Sequence, residues 1–339
     1  MRHSTDLAIA QSQRSNKRYN LILFLIGGVL LCALFCLSLF IGKYPLTLEK
    51  LLAGDEMQWK VFKTLRLTRA LVGLFGGFAL GIAGYVFQTV FRNPLASPDI
   101  IGIASGASAG AAFGILFFAS SLMVTVSAFG GAFLAVIFTL LLASIDKTGK
   151  NSTVILSGIA VHAFAQTILM CLKLIADPEK ELASIEYWIM GSLNGINSHS
   201  IGMNIILIVI SMIILFVLHR TSLILASDEG EAKMLGLNVN RARLLILLTA
   251  TVAVASVVSM TGLISFIGLV APHVAKKLIR NNNISTMVLC GITGSCLLEA
   301  ADIFARSIAA TELPVSIFTS IIGVPFLVFI IFRGGKAHE

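Results

Sequence analysis

The chain has 339 residues, of which 57% are hydrophobic and only 12% charged, with a net charge of +8. Soluble domains carry about 25% charged residues, so a chain this poor in charge could not solvate its own surface, and a set of soluble domains is excluded. The surplus of Lys and Arg reads as charge placed for membrane orientation, not for nucleic acid.

Residues 1–20 are mostly polar and are expected to form a cytoplasmic N-terminal tail. No small-residue cleavage site follows the first apolar run, so that run is read as a retained span rather than a signal peptide. Apolar runs fall at 21–42, 70–91, 100–118, 122–145, 152–175, 201–219, 244–260, 262–279, 284–301 and 315–332, and a short tail at 334–339 closes the chain. Each is near the length of roughly 20 residues that a helical crossing needs. Thr261-Gly262 favours a break within the long apolar stretch from 244 to 279. The fold predicted is all-α and polytopic, with about ten transmembrane helices making one transmembrane domain over 21–333.

An even number of spans puts both termini on one side, and the larger share of Lys and Arg then falls on that side, which makes it the cytoplasm. The first outer loop breaks this trend with Lys43, Lys50, Lys60, Lys63, Arg66 and Arg69. In the second span Gly73, Gly77 and Gly81 recur every four residues, and Gly102, Gly106, Gly110 and Gly114 do so in the third. Such ridges flatten a helix face and let another backbone approach closely, so both spans are expected to pack centrally.

Chemistry-bearing clusters are scarce. The six histidines show no metal-ligand spacing. Cys32, Cys36, Cys171, Cys290 and Cys296 lie in apolar runs without a CxxC pair, and are read as buried small hydrophobes. Residues 148–153 lack the upstream glycine and the Gly-Lys-Ser/Thr order of a phosphate loop, so no ATPase site is expected. Lys173, Glu299 and Asp302 are read as interfacial charges near span ends, which leaves no paired mid-depth charges of the kind an ion-coupled carrier uses.

Two polar segments stand out. Pro94 and Pro98 force an ordered turn in Arg92-Asn93-Pro94-Leu95-Ala96-Ser97-Pro98-Asp99. The inner loop at about 225–243 predicts a short surface helix, with Ser227 as N-cap, acidic residues in its first turn, Gly236 ending it, and a second short turn from Asn238 to Arg243.

Several motifs occur in one order: Arg66-Leu67-Thr68-Arg69, Gln88 through Asp99, Trp188-Ile189-Met190-Gly191-Ser192-Leu193, Glu231-Ala232 with Leu235-Gly236, Gly262 through His273, and Glu312-Leu313-Pro314-Val315 followed by Ile322-Gly323-Val324-Pro325-Phe326. With them the sequence resembles the permease subunit of type II ABC importers, the family that moves ferric siderophores, haem and cobalamin. It departs from the usual pattern at Thr68 and Ala271.

The resemblance implies a cobalamin-importer-like permease that pairs with a second permease, the same or a sister chain. It also implies two cytoplasmic ATPases that use ATP, an extracytoplasmic binding protein, and no cofactor or metal held by this chain. Glu231, Ala232, Leu235 and Gly236 are then expected to couple to the ATPase. Arg66, Arg69 and Arg306 are expected to meet the binding protein, and Asn151 and Ser152, within the 146–153 connection, to form a cytoplasmic gate. An ion-coupled secondary carrier is the alternative.

Overall fold

The computed structural model describes residues 2–118, 120–145, 151–194, 196, 198–227, 229–279, 281–308 and 311–335. Among these there is no strand. The chain opens with α1 (Arg2–Phe40), then two short helices, α2 (Leu48–Leu52) and α3 (Glu56–Val61). A π-turn at Phe62–Leu67 carries α3 into α4 (Thr68–Val90), and a 3-10 turn at Pro98–Ile101 precedes α5 (Ile103–Phe117). Next come α6 (Ser121–Ile145), α7 (Asn151–Ile175), α8 (Glu181–Ile189), α9 (Ser198–Val217), α10 (His219–Ala226) and α11 (Glu229–Met234). The last four are α12 (Val239–Thr261), α13 (Ile267–Leu278), α14 (Ile284–Ser307) and α15 (Val315–Gly335).

Each of the ten apolar runs is occupied mainly by a helix, but the helices are unequal. Six stretches are long and apolar enough to cross a bilayer: Arg18–Phe40, Glu56–Val90, Ser121–Ile145, Ser152–Ile175, Val239–Thr261 and Ile284–Ser307. A seventh is the α9–α10 pair, bent by 57°. Ile103–Phe117 and Val315–Phe329 are apolar but shorter. The break expected at Thr261-Gly262 is present: α12 stops at Thr261 and α13 restarts at Ile267. Gly262 sits at φ +69°, and a Cβ there would stand 2.0 Å from the Trp188 carbonyl oxygen, so only glycine fits.

The central helix is α4, buried along nearly its whole length and packed against α9, α10, α12, α13 and α14. Its glycines explain how the neighbours come so near. A Cβ on Gly77 would lie 2.6 Å from the Gly294 carbonyl oxygen, and one on Gly81 2.1 Å from that of Cys290, both on α14. Gly73 faces a side chain instead, with the Glu299 carboxyl 2.6 Å from where its Cβ would be. The second glycine ridge serves a separate seam between α5 and α6. Gly106 abuts the Gly131 carbonyl, Gly110 that of Ser127, and Gly114 the backbone of Val124. Gly102 is not part of this ridge. It adopts φ +86° at the start of α5 and meets its neighbours only at ordinary contact distance, so its freedom serves the turn after the 3-10 helix.

Several readings need correction. Glu299 (0% exposed) and Asp302 (2%) are buried inside the bundle, not interfacial, because the glycine face of α4 opens room for Glu299 and an arginine pairs with Asp302. Cys32, Cys36 and Cys171 are exposed on the single chain and only Cys290 is buried. The run read as the sixth span turns sharply at Leu218 and continues as α10.

Candidate functional site

The inner-loop segment folds as a short helix ended by a Schellman motif. In α11 the Gly236 N–H donates to the Lys233 carbonyl at 2.9 Å and the Leu237 N–H to that of Ala232 at 3.1 Å. This pair of bonds needs a left-handed residue between them, and Gly236 supplies it at φ +77°. Ala232 is buried at 1% exposure and anchors the turn, while Met234 (84%) and Leu235 (69%) project outward with Glu231. Two exposed apolar side chains on an anchored turn make a surface suited to a partner. Ser227 does not start this helix. Its hydroxyl donates to the Ile224 carbonyl at 2.7 Å and closes α10, and the position before α11, residue 228, lies outside the described residues. The second short turn is also absent as such: Asn238 caps α12, its Oδ1 accepting from the Arg241 N–H at 3.2 Å.

The arginines expected at the outer face do converge, but toward the protein interior. Arg66 donates through Nη1 to the Ile41 carbonyl at 2.8 Å and through Nη2 to that of Tyr44 at 3.1 Å. Arg306 donates to the same Ile41 carbonyl at 2.9 Å and to Ser38 Oγ at 2.6 Å, and stands 2.9 Å from Asp302 Oδ2. Arg69 donates from Nε to the Leu193 carbonyl at 3.0 Å and grips Glu312 with both terminal nitrogens, at 3.3 and 2.5 Å. All three arginines are less than a tenth exposed. Their burial corrects the expectation of a steering surface, because guanidinium groups spent on internal carbonyls and carboxylates present little field outward. The exposed charges of this loop are Lys43, Lys50, Lys60 and Lys63, set among Glu49, Asp55 and Glu56.

Arg69 therefore ties the connections after α8 and α14 together. The Val315 N–H donates to the Gly191 carbonyl at 3.0 Å and the Ser192 N–H to that of Thr261 at 2.7 Å, so the loops after α8, α12 and α14 meet at one node beside the Arg69–Glu312 pair. A cavity of about 680 Å³ adjoins this node, lined in part by Trp188, Ser192, Asn194 and Thr261. The sequence reading had Glu312 in a motif but not as the partner of Arg69, and it had no signal for Ser38, whose role depends on a contact 268 residues distant.

Of the gate, residues 146–150 lie outside the described residues; Asn151 opens α7 and Ser152 is exposed. Among the described residues no group of three His, Cys, Asp or Glu side chains is placed to hold a metal ion.

Arg69 and Arg92 stand at opposite ends of α4, whose 23 residues span about 34 Å. That is close to the thickness of about 30 Å of a bilayer core, so the arginine node and the α10–α11 segment lie at opposite faces. Residues 30–333 match the FecCD transport family. The chain belongs to that family. It is 34% identical over 270 residues to the cobalamin import system permease protein BtuC of Halobacterium salinarum, covering 79% of this chain and 72% of that one. To the molybdate import system permease protein MolB of Haemophilus influenzae it is 32% identical, covering 88% and 93%. A solved structure titled as an inward-facing metal-chelate type ABC transporter aligns with TM-score 0.83 at 31% identity, over 92% of this chain and 99% of that one. This FecCD permease is thus a multi-pass transport subunit of an ABC importer, working with separate ATPase and binding-protein partners.

Proposed function

We propose that this FecCD permease carries a metal chelate, a ferric siderophore, haem or cobalamin, inward across the cell membrane, with both termini cytoplasmic. The observation that carries the direction of coupling is the anchored α11 turn, with Met234 and Leu235 exposed over a buried Ala232. A groove on a cytoplasmic ATPase would take those two side chains, with Glu231 and Gly236 shaping the fit. At the opposite face the binding protein would dock on the loops that Arg66, Arg69 and Arg306 hold in place. There the arginines set the shape of the surface, and the exposed lysines supply its charge. A second permease subunit would complete the pathway, with Asn151 and Ser152 facing their counterparts at its cytoplasmic end.

The test is uptake by vesicles holding the permease, its ATPase and its binding protein, with ferric hydroxamate, haem and cobalamin offered in turn. Uptake of one of these is expected to require ATP on the ATPase side and to survive collapse of ion gradients. Uptake driven by an ion gradient without ATP would overturn the reading in favour of a secondary carrier.

A further inference from the structure

The helix joined to the coupling segment is fastened at its start to the central helix and at its end to the turn that follows that helix. At the start of α10 the His219 ring stacks on Tyr85 of α4, centroids 6.0 Å apart and planes 9° from parallel. His219 Nε2 also lies 3.3 Å from the Tyr85 hydroxyl. Near the end of α10 the Leu225 carbonyl accepts a 3.3 Å hydrogen bond from Nη2 of Arg92. A helix C-terminus leaves such carbonyls without an intrahelical partner, so Arg92 both caps α10 and ties it down. Tyr85 lies in the last turns of α4 and Arg92 in the turn just past its final residue, Val90, so His219 and Leu225 are held from two nearby points of one chain segment. His219, Ser222 and Leu225 form the buried face of α10.

The tie continues into α13. Lys276 Nζ sits 5.2 Å above the Tyr85 ring and donates to Gln88 Oε1 at 3.1 Å. On the far side, α9 and α10 are bent by 57° across Leu218. Arg92 itself holds φ +52°, a left-handed conformation unusual for a side-chain-bearing residue. Such outliers persist where the surroundings over-determine them. A buried tyrosine–histidine stack thus holds one end of this short helix and a capping arginine holds the other.

We propose that α10 and the last turns of α4 move as one rigid lever. Displacement of α11 by the ATPase would pass through α10 to α4, and the joint at Leu218 would absorb the change relative to α9. Tyr85, His219 and Arg92 are then positioning residues for energy coupling. The proposal rests on α11 being the ATPase contact.

The direct test uses the whole transporter, with the exposed Cys32, Cys36 and Cys171 changed to Ser and spin labels attached to introduced cysteines. One pair is Leu95→Cys with Arg220→Cys, joining the turn that follows α4 to α10; the other is Met203→Cys with Arg220→Cys, joining α9 to α10. Between the nucleotide-free and ATP-trapped states the first distance is expected to stay constant. The second should shift by about 2 Å or more, as helix movements in switching proteins do. A change in the first distance, or constancy of both, overturns the lever.

Function gives a second readout. Tyr85→Phe and Arg92→Ala should leave the ATPase bound and hydrolysing but lower substrate moved per ATP by at least about fivefold, the low end of usual coupling strengths, with Arg92→Lys recovering part. An unchanged ratio in assembled complexes counts against the proposal. The underlying reading fails separately: if Gly236→Val leaves ATPase assembly and uptake normal, α11 is not the contact. If that variant loses assembly while the Leu95–Arg220 distance changes with nucleotide, the lever alone is wrong.

Discussion

Gly236 shows how one backbone conformation can carry a function. Nothing lies within 4 Å of the place a Cβ would take, so space does not forbid a side chain; the φ of +77° does. A β-branched residue held there costs on the order of 1–3 kcal/mol, enough to unravel a six-residue helix. Gly236→Val is therefore expected to lose most ATPase co-purification and uptake while the membrane bundle melts at its normal temperature. Arg69 and Glu312 make a second residue-scale case. Glu312 keeps 22% of its side chain exposed and Arg69 only 10%, so losing Glu312 strands a mostly buried cation and losing Arg69 leaves a partly buried carboxylate unpaired. Arg69→Met or Glu312→Gln alone should each destabilise the detergent-solubilised protein by roughly 1–3 kcal/mol, and the double variant by less than their sum. Strict additivity in thermal melting would show that the pair is not coupled.

Among the elements, the two glycine seams differ in what they demand. On α4, a methyl at Gly81 would collide with the Cys290 backbone at 2.1 Å, which α14 cannot relieve without shifting as a whole. Gly81→Ala is expected to lower the melting temperature, by an overpacking cost of about 1–3 kcal/mol. Gly130 on α6 has nothing within 4 Å of a built Cβ. Gly130→Ala should leave stability unchanged or raise it by about 0.4–1 kcal/mol. Equal effects at the two positions would mean that the α4–α14 contact is looser than its geometry shows. The sequence displayed both ridges but could not tell which glycines meet backbone and which serve a turn. Gly102 has the same spacing as Gly106 yet only opens α5, because periodicity records position on a helix and not where the helix begins.

At the scale of the whole molecule, the outer face separates shape from charge. Lys60→Glu with Lys63→Glu changes exposed side chains and should weaken binding-protein association, mainly in its rate and salt dependence, without altering thermal stability. Arg66→Glu with Arg69→Glu instead puts carboxylates against the Ile41, Tyr44 and Leu193 carbonyls that now accept hydrogen bonds, and should lower stability as well as docking. If the arginine double variant keeps its melting temperature, these side chains are not the struts that their hydrogen bonds make them.

The membrane class, the ten apolar runs, the break at Thr261-Gly262 and, through the ordered motifs, the family were all legible in the residues alone. These are properties of composition and local pattern, written in consecutive residues. It takes the folded chain to show that Arg66, Arg69 and Arg306 point inward, that Glu299 lies against Gly73, and that α10 is held by Tyr85 of α4 and by Arg92 just past its end. Most of those depend on partners more than a hundred positions apart, Arg66 on carbonyls 25 and 22 positions away, and Glu299 on a neighbour with no side chain to announce it. Burial of a charge is a property of what surrounds it, so a charged residue near a span end reads the same in sequence whether it faces lipid, water or a waiting carbonyl.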